Sequence, residues 1–229
     1  MPKMQLQSDL TVCFLTVNKV PKKWADFQMK TLKDAIGDSP IISVSRIPME
    51  FGINLIQTEI SAVNIYRQML RVAKIATTPY VAVAEDDTLY SEEHFKMRPD
   101  SDTFSYNMSR WGVLSWSKNP VYYYRHRESN SALIAPRELL IKCLEERFSK
   151  YPNDPKAYGE VGKEKVEKNL GLPHYKVKRW CSRIPIINFA HNQAIDRLEQ
   201  QQRKGENKAL IAYEVPGWGR ADDIIRYFI

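Results

Sequence analysis

The sequence predicts an α/β protein: a mostly parallel sheet flanked by helices in a single domain. Three observations carry this. Strand-like and helix-like segments alternate through residue 87, the strand segments are continuous apolar runs, and the third of them, YVAVAEDD, ends in Glu85, Asp86 and Asp87. A β-α-β-α-β order builds a parallel sheet covered by helices, and such sheets bind ligands at the carboxyl ends of their strands. The three acids stand at such an end.

The first strand is LTVCFLTV, residues 10–17. After it Trp24, Phe27, Leu32, Ala35 and Ile36 recur at roughly helical spacing, and Gly37 supplies the stop. PIISVS (40–45) is a second short strand introduced by a proline, and MEFGINL after it reads as an irregular connection. In SAVNIYRQMLRVAKIATT, Ala62, Tyr66, Met69, Leu70 and Ala73 share one helix face and Ser61 suits the cap. Further on, RWGVLSW and NSALIAP read as strands separated by the polar, aromatic SKNPVYYYRHRES. PRELLIKCLEERFSKY reads as an amphipathic helix with Pro136 in its first turn, and GKEKVEKNLG as a short helix closed near Gly171. YKVKRWCSRIPIINFAH supplies one or two strands. The polar IDRLEQQQRKGENK is expected to be partly mobile, and the aromatic-rich YEVPGWGRADDIIRYFI to pack back onto the body.

Composition sets the surroundings. With 229 residues, 43% hydrophobic and 27% charged, the chain has enough apolar material for one large core. The start lacks the pattern of a signal peptide and no apolar run reaches roughly 18 residues, so a soluble, cytoplasmic protein without a transmembrane segment is expected. Three cysteines, far apart and without a CxxC, argue against a disulfide framework or a zinc site. The net charge of +7 favours a polyanionic partner: nucleic acid, a nucleotide-sugar or anionic lipid head groups.

Three adjacent carboxylates repel, and each raises its neighbours' pKa unless a cation offsets them. Either water solvates them in a turn or something positive binds. Two hard carboxylate ligands at a strand end suit Mg²⁺ or Mn²⁺, with Glu85 and Asp87, or Asp86 and Asp87, holding an ion that bridges a diphosphate.

The surrounding residues resemble a family pattern. VCFLTVN (12–18), SAVNIYRQMLRVAKIATTPYVAVAEDD (61–87), YGEVGKEKVEKNLGLPHYKVKRW (158–180) and IINFAH (186–191) are similar to the motifs of GT-A glycosyltransferases, especially those grouped with family 2. The resemblance covers about residues 10–192 and implies a Rossmann-like GT-A catalytic domain over 1–192, with 193–229 as a C-terminal extension. It also implies a nucleotide-sugar donor, a UDP-sugar being the expected one, and a divalent metal. Thr16 and Asn18 would lie near the nucleotide base or ribose and Arg67 near the nucleotide or diphosphate. Asp87, with Glu85 or Asp86, would hold the metal, and His191 falls where many such enzymes complete the metal or diphosphate site. Glu160, in the position resembling the family's acidic helix start, with Glu164 second, is the candidate base that takes a proton from an acceptor hydroxyl. Two departures stand out. The second strand ends in Ser45 and Arg46 where the family usually has an acid, and Glu85 replaces the usual first Asp of the metal motif.

Two basic and aromatic clusters, YYYRHR (122–127) and YKVKRWCSR (175–183), lie where the family usually builds its acceptor site. Arginines and lysines hold phosphates and aromatic rings stack on bases or sugars, although a solvated loop face gives the same pattern. A polyanionic acceptor is therefore an expectation, including DNA with hydroxymethylated pyrimidines of the phage type. Two other readings of the sequence stay open: a nucleotidyltransferase, and a non-catalytic nucleic-acid-binding protein.

Overall fold

The first apolar run forms β1 (Leu10–Leu15), buried along its whole length. It lies between β2 (Ile41–Ser45) and β4 (Tyr80–Glu85), parallel to both, as continuous apolar strands require. The computed structural model that shows this describes residues 8–59, 61–154, 159–191 and 210–228; the polar stretch expected to be mobile lies outside them.

Between β1 and β2 runs α1 (Lys22–Ile36), ended by Gly37 at φ 57°, a left-handed value that only glycine adopts at little cost. Trp24, Leu32, Ala35 and Ile36 are buried as their spacing predicts, Phe27 is half-buried, and the polar Gln28 is fully buried among them. The expected irregular connection after β2 contains a strand instead, β3 (Ile53–Ile56), parallel to β2. It forms the sheet edge, where backbone pairing on one side holds it while Ile53 and Ile56 stay exposed, so no buried apolar run marks it. The helix α2 (Ala62–Ile75) begins at Ser61, whose side chain accepts the Asn64 N–H. Its buried stripe is Val63, Tyr66, Met69, Val72 and Ala73; Ala62 and Leu70 are only half-buried.

After β4 the chain forms β5 (Thr88–Leu89), α3 (Glu92–Phe95), β6 (Thr103–Asn107), β7 (Arg110–Leu114), β8 (Tyr122–Tyr124) and β9 (Leu133–Pro136). The sequence does not announce β6, whose buried Thr103, Ser105 and Asn107 break up its apolar residues. Nor does it announce β8, which lies inside the polar, aromatic SKNPVYYYRHRES. Pro136 sits one position before α4 (Arg137–Lys150) rather than in its first turn. Then follow α5 (Glu164–Leu170), closed by a left-handed Gly171, β10 (Lys176–Trp180) and β11 (Ile186–Ala190).

Among the described residues, one sheet has seven strands in the order β10-β6-β9-β4-β1-β2-β3, all parallel except β9. A second has five strands, running from β12 (Ile211–Ala212) through β8, β7 and β11 to β5. The first sheet is covered on one face by α2 and α4, with Tyr66, Met69, Leu140 and Leu144 packed on Cys13, Val83 and Phe104. On its other face Leu32 and Ile36 of α1 meet Leu10, Phe14 and Ala82. Residues 210–228 pack on the body through α6 (Ala221–Ile225) and Phe228, which join Trp24 and Phe189 in a third cluster, and the Trp218 indole donates to the Pro185 carbonyl at 2.7 Å. Edge strand β10 carries exposed Lys176, Lys178 and Arg179, charges that discourage edge-to-edge pairing. The three cysteines are free, and no described helix is long and apolar enough to cross a membrane.

This topology puts the acids at one particular place. The chain leaves the first sheet at Glu85 and enters the second at Thr88, so Glu85, Asp86 and Asp87 form the hand-over between the two sheets.

Candidate functional site

The backbone of the acid turn is held from several sides. The Asp86 N–H donates to Leu15 of β1 at 3.2 Å, and the Phe189 N–H on β11 donates to the Asp87 carbonyl at 2.8 Å. From α1, the Trp24 indole donates to the Asp86 carbonyl at 2.6 Å, and the Gln28 amide to the Glu85 and Thr88 carbonyls at 3.3 and 3.0 Å. The Tyr90 hydroxyl accepts the Glu85 N–H at 3.0 Å. The buried polar face of α1 therefore serves this turn.

The three side chains have different partners. Asp86 accepts a hydrogen bond from the Thr16 hydroxyl, which in turn accepts the Asn18 N–H at 2.8 Å. Asn18 takes φ 56°, a left-handed conformation that asparagine tolerates, and its side-chain oxygen accepts the N–H groups of Arg46 and Ile47 at 2.8 and 3.3 Å. Thr16, Asn18 and Asp86 thus form one unit that ties the ends of β1, β2 and β4 together. Glu85 lies in the field of Arg110 and Arg125. Asp87 accepts from the Thr88 hydroxyl at 2.9 Å through Oδ1, while its Oδ2 lies 3.8 Å from His191 Nε2.

Electrostatics at this turn follow from crowding. Burial first, and then the neighbouring Asp87, push the Glu85 carboxyl up to about 8, against the pull of Arg110 and Arg125. The same two causes push Asp86 up to about 7, opposed by the Thr16 hydrogen bond. A cation at the turn would relieve this repulsion. Burial holds His191 below the ordinary histidine range, with Asp87 opposing, which favours the neutral imidazole that ligates metals. His191 is 4% exposed and its Nδ1 has no hydrogen-bond partner among the described residues.

Among the described residues no group of three or more His, Cys, Asp or Glu is arranged to hold a metal ion. What stands there is a pair, Asp87 and His191. A pair fits an ion of the Mg²⁺ or Mn²⁺ type, which takes one or two protein ligands and completes its shell with water and substrate phosphates.

Arg67 and Glu160 are engaged with other partners. Arg67 pairs with Glu59 at 3.1 Å, donates to the Pro152 carbonyl and Asn153 Oδ1 at 2.7 and 3.0 Å, and lies over the Phe148 ring, so it links α2 to the end of α4. Glu160 is not a helix-start residue: α5 begins at Glu164, and Glu160 sits in the preceding turn between Gly159 and Gly162, paired with Lys163 at 3.2 Å. That turn is anchored to the body, since the Tyr106 hydroxyl donates to the Val161 carbonyl and the buried Glu167 carboxylate accepts the Gly162 N–H.

No family model matches the chain, and no curated protein matches it. Solved structures do. One is a glycosyltransferase involved in glycosylation of the major capsid of PBCV-1, with 9% identity and a TM-score of 0.48, covering 85% of this chain and 98% of that one. Another is the glycosyltransferase GlyE of Streptococcus pneumoniae, with 10% identity and a TM-score of 0.46, covering 75% of this chain and 45% of that one. A third is the bifunctional IspDF of Campylobacter jejuni, with 9% identity and a TM-score of 0.40, covering 86% and 54%.

Several residues at the turn escape sequence reading. Gln28 and Asn188 each had a detectable signal, a polar side chain at a position whose spacing demands burial. Arg110, 1% exposed at the start of β7, had none, since an arginine beside an apolar run ordinarily marks a strand end. The two basic and aromatic clusters have separate fates. Tyr122 and Tyr123 are buried in the second sheet, with Arg125 over the Tyr123 ring and half-buried, whereas Lys176, Lys178 and Arg179 decorate an exposed edge.

Proposed function

We propose that this chain is a metal-dependent glycosyltransferase that moves a sugar from a nucleotide-sugar, a UDP-sugar in the first instance, to a hydroxyl acceptor. The observation that supports the reading is the meeting of Asp87 and His191 at 3.8 Å, brought from β4 and β11 to the carboxyl end of a parallel sheet. In this reading Asp87 and His191 hold Mn²⁺ or Mg²⁺, which when bound would neutralise the leaving diphosphate as a Lewis acid. Thr16, Asn18 and Asp86 border the nucleoside. Glu85 contributes negative charge beside the ion, and Arg67, on α2, stays at the margin of the donor site. Glu160 takes the acceptor proton, its pairing with Lys163 holding the carboxylate in place. Arg125, half-buried over Tyr123 on the second sheet, offers a cation to an anionic acceptor such as modified DNA.

The direct test is calorimetric binding of uridine diphosphate with and without Mn²⁺, on wild-type protein and on Asp87→Ala. Binding that needs the metal and is lost in the variant is expected. Metal-independent binding, unchanged by Asp87→Ala, would remove the reading. Pyrophosphate released from a nucleoside triphosphate in a parallel assay would reassign the chain to nucleotidyl transfer.

A further inference from the structure

Arg110 is a fully buried cation whose partners lead, one by one, to Asp87. Its Nη2 donates to Asn188 Oδ1 at 2.6 Å, Asn188 Nδ2 donates to Thr88 Oγ1 at 2.5 Å, and Thr88 Oγ1 donates to Asp87 Oδ1 at 2.9 Å. The second Arg110 nitrogen, Nη1, is fixed on the Arg127 carbonyl at 3.0 Å. Arg110, Asn188 and Thr88 are 1%, 4% and 0% exposed, so water does not replace the two inner links, while the last ends on the Asp87 side chain, which is 21% exposed.

The direction of this chain is imposed from its buried end. Guanidinium only donates, so the Asn188 oxygen must face Arg110 and its NH₂ must face Thr88. The NH₂ can only donate as well, so the Thr88 oxygen accepts it, and its single proton goes to the Asp87 carboxylate, a stronger acceptor than the neighbouring Tyr90 hydroxyl. Asp87 Oδ1 thereby accepts one hydrogen bond that fixes the carboxylate's rotation, and Oδ2 is the oxygen that faces His191.

We infer that Arg110, Asn188 and Thr88 are positioning residues that present one chosen oxygen of Asp87, together with His191, to a divalent cation. The inference rests on the metal-dependent reading above. It explains why a strand otherwise apolar, IINFA, carries an asparagine at its centre, and why an arginine is buried where a hydrophobic residue would serve packing alone. Outer groups that orient a metal ligand commonly account for 10- to 100-fold in affinity.

The test is Mn²⁺ affinity in the presence of uridine diphosphate, by calorimetry and by the electron paramagnetic resonance spectrum of the bound ion, with thermal melting as the check on folding. Thr88→Val, which keeps the shape and removes the proton donor, should weaken Mn²⁺ binding about 10- to 100-fold and alter the spectrum. Thr88→Ser, which restores the hydroxyl, should return affinity to within about threefold of wild type, on the same outer-group scale. Asn188→Ala, which frees the Thr88 hydroxyl to turn, should weaken it as well and stands in should Thr88→Val not fold. Mn²⁺ bound by wild type and equally by a folded Thr88→Val or Asn188→Ala overturns the relay alone. A wild-type protein that takes no Mn²⁺ overturns the metal-dependent reading, and the relay with it.

Discussion

His94 gives this protein a specific weakness to acid. It lies on α3 with no exposed surface, among the rings of Tyr90, Phe95 and Trp180 at 5.5, 4.8 and 6.2 Å. Its Nε2 has no partner among the described residues, and its Nδ1 has only the Asn107 amide, at 3.5 Å. Burial, helped by the charge of Arg110, pushes the imidazole down from 6.5 to about 3. The sign follows from proton counting. Between those values the unfolded chain binds a proton that the folded chain refuses, so stability rises with pH and is lost as pH falls below the ordinary histidine range. Between pH 7.5 and 5 the imidazole of the unfolded chain goes from mostly neutral to mostly protonated. That costs the fold about 2 kcal/mol, a figure insensitive to the native value provided it lies well below 5. His94→Phe keeps a ring in the same aromatic setting, while Asn107 retains its 2.8 Å bond to Ser182. Urea unfolding at the two pH values should show the wild-type loss between them exceeding that of the variant by about 2 kcal/mol. Equal losses would mean that His94 is not held neutral, and the reasoning from its burial would fail.

Two further perturbations read other parts of the structure. A Cβ at Gly112 would fall 2.6 Å from Cε2 of Tyr123, its cross-strand partner in the second sheet, so Gly112→Ala should destabilise by about 1–3 kcal/mol in thermal or urea unfolding. Gln28→Leu leaves the Glu85 and Thr88 carbonyls without their α1 donor, and a loss of about 1–3 kcal/mol is expected, with faster amide exchange at residues 85–89 as the local readout.

How much of this was legible in the residues depends on where each signal originates. β1, α1, β2, α2 and β4 follow from continuous apolar runs, from helical spacing, from the stop at Gly37 and from the cap at Ser61, because these signals are local to each segment. β3 and β6 were missed because an edge strand and a strand with buried polar residues do not show an apolar pattern, and only backbone pairing with distant segments makes them strands. The acids themselves were visible at the end of β4. Their different surroundings were not, since Thr16 for Asp86, the charges of Arg110 and Arg125 for Glu85 and His191 for Asp87 come from on or beside other strands. The family resemblance implies a helix start at Glu160, whereas the turn carrying Gly159 and Gly162 precedes α5, which begins at Glu164.

The sequence by itself determined a mostly parallel α/β core with three carboxylates at the end of its third apolar run, because spacing and apolar continuity are local properties of the chain. Only the tertiary structure decided that the chain passes from one sheet to another at those carboxylates. It alone brought His191 to Asp87 and ran a line of donors from buried Arg110 to the same side chain. Such contacts join residues far apart in the chain, and hydrogen-bond direction is fixed only once each donor has found its acceptor.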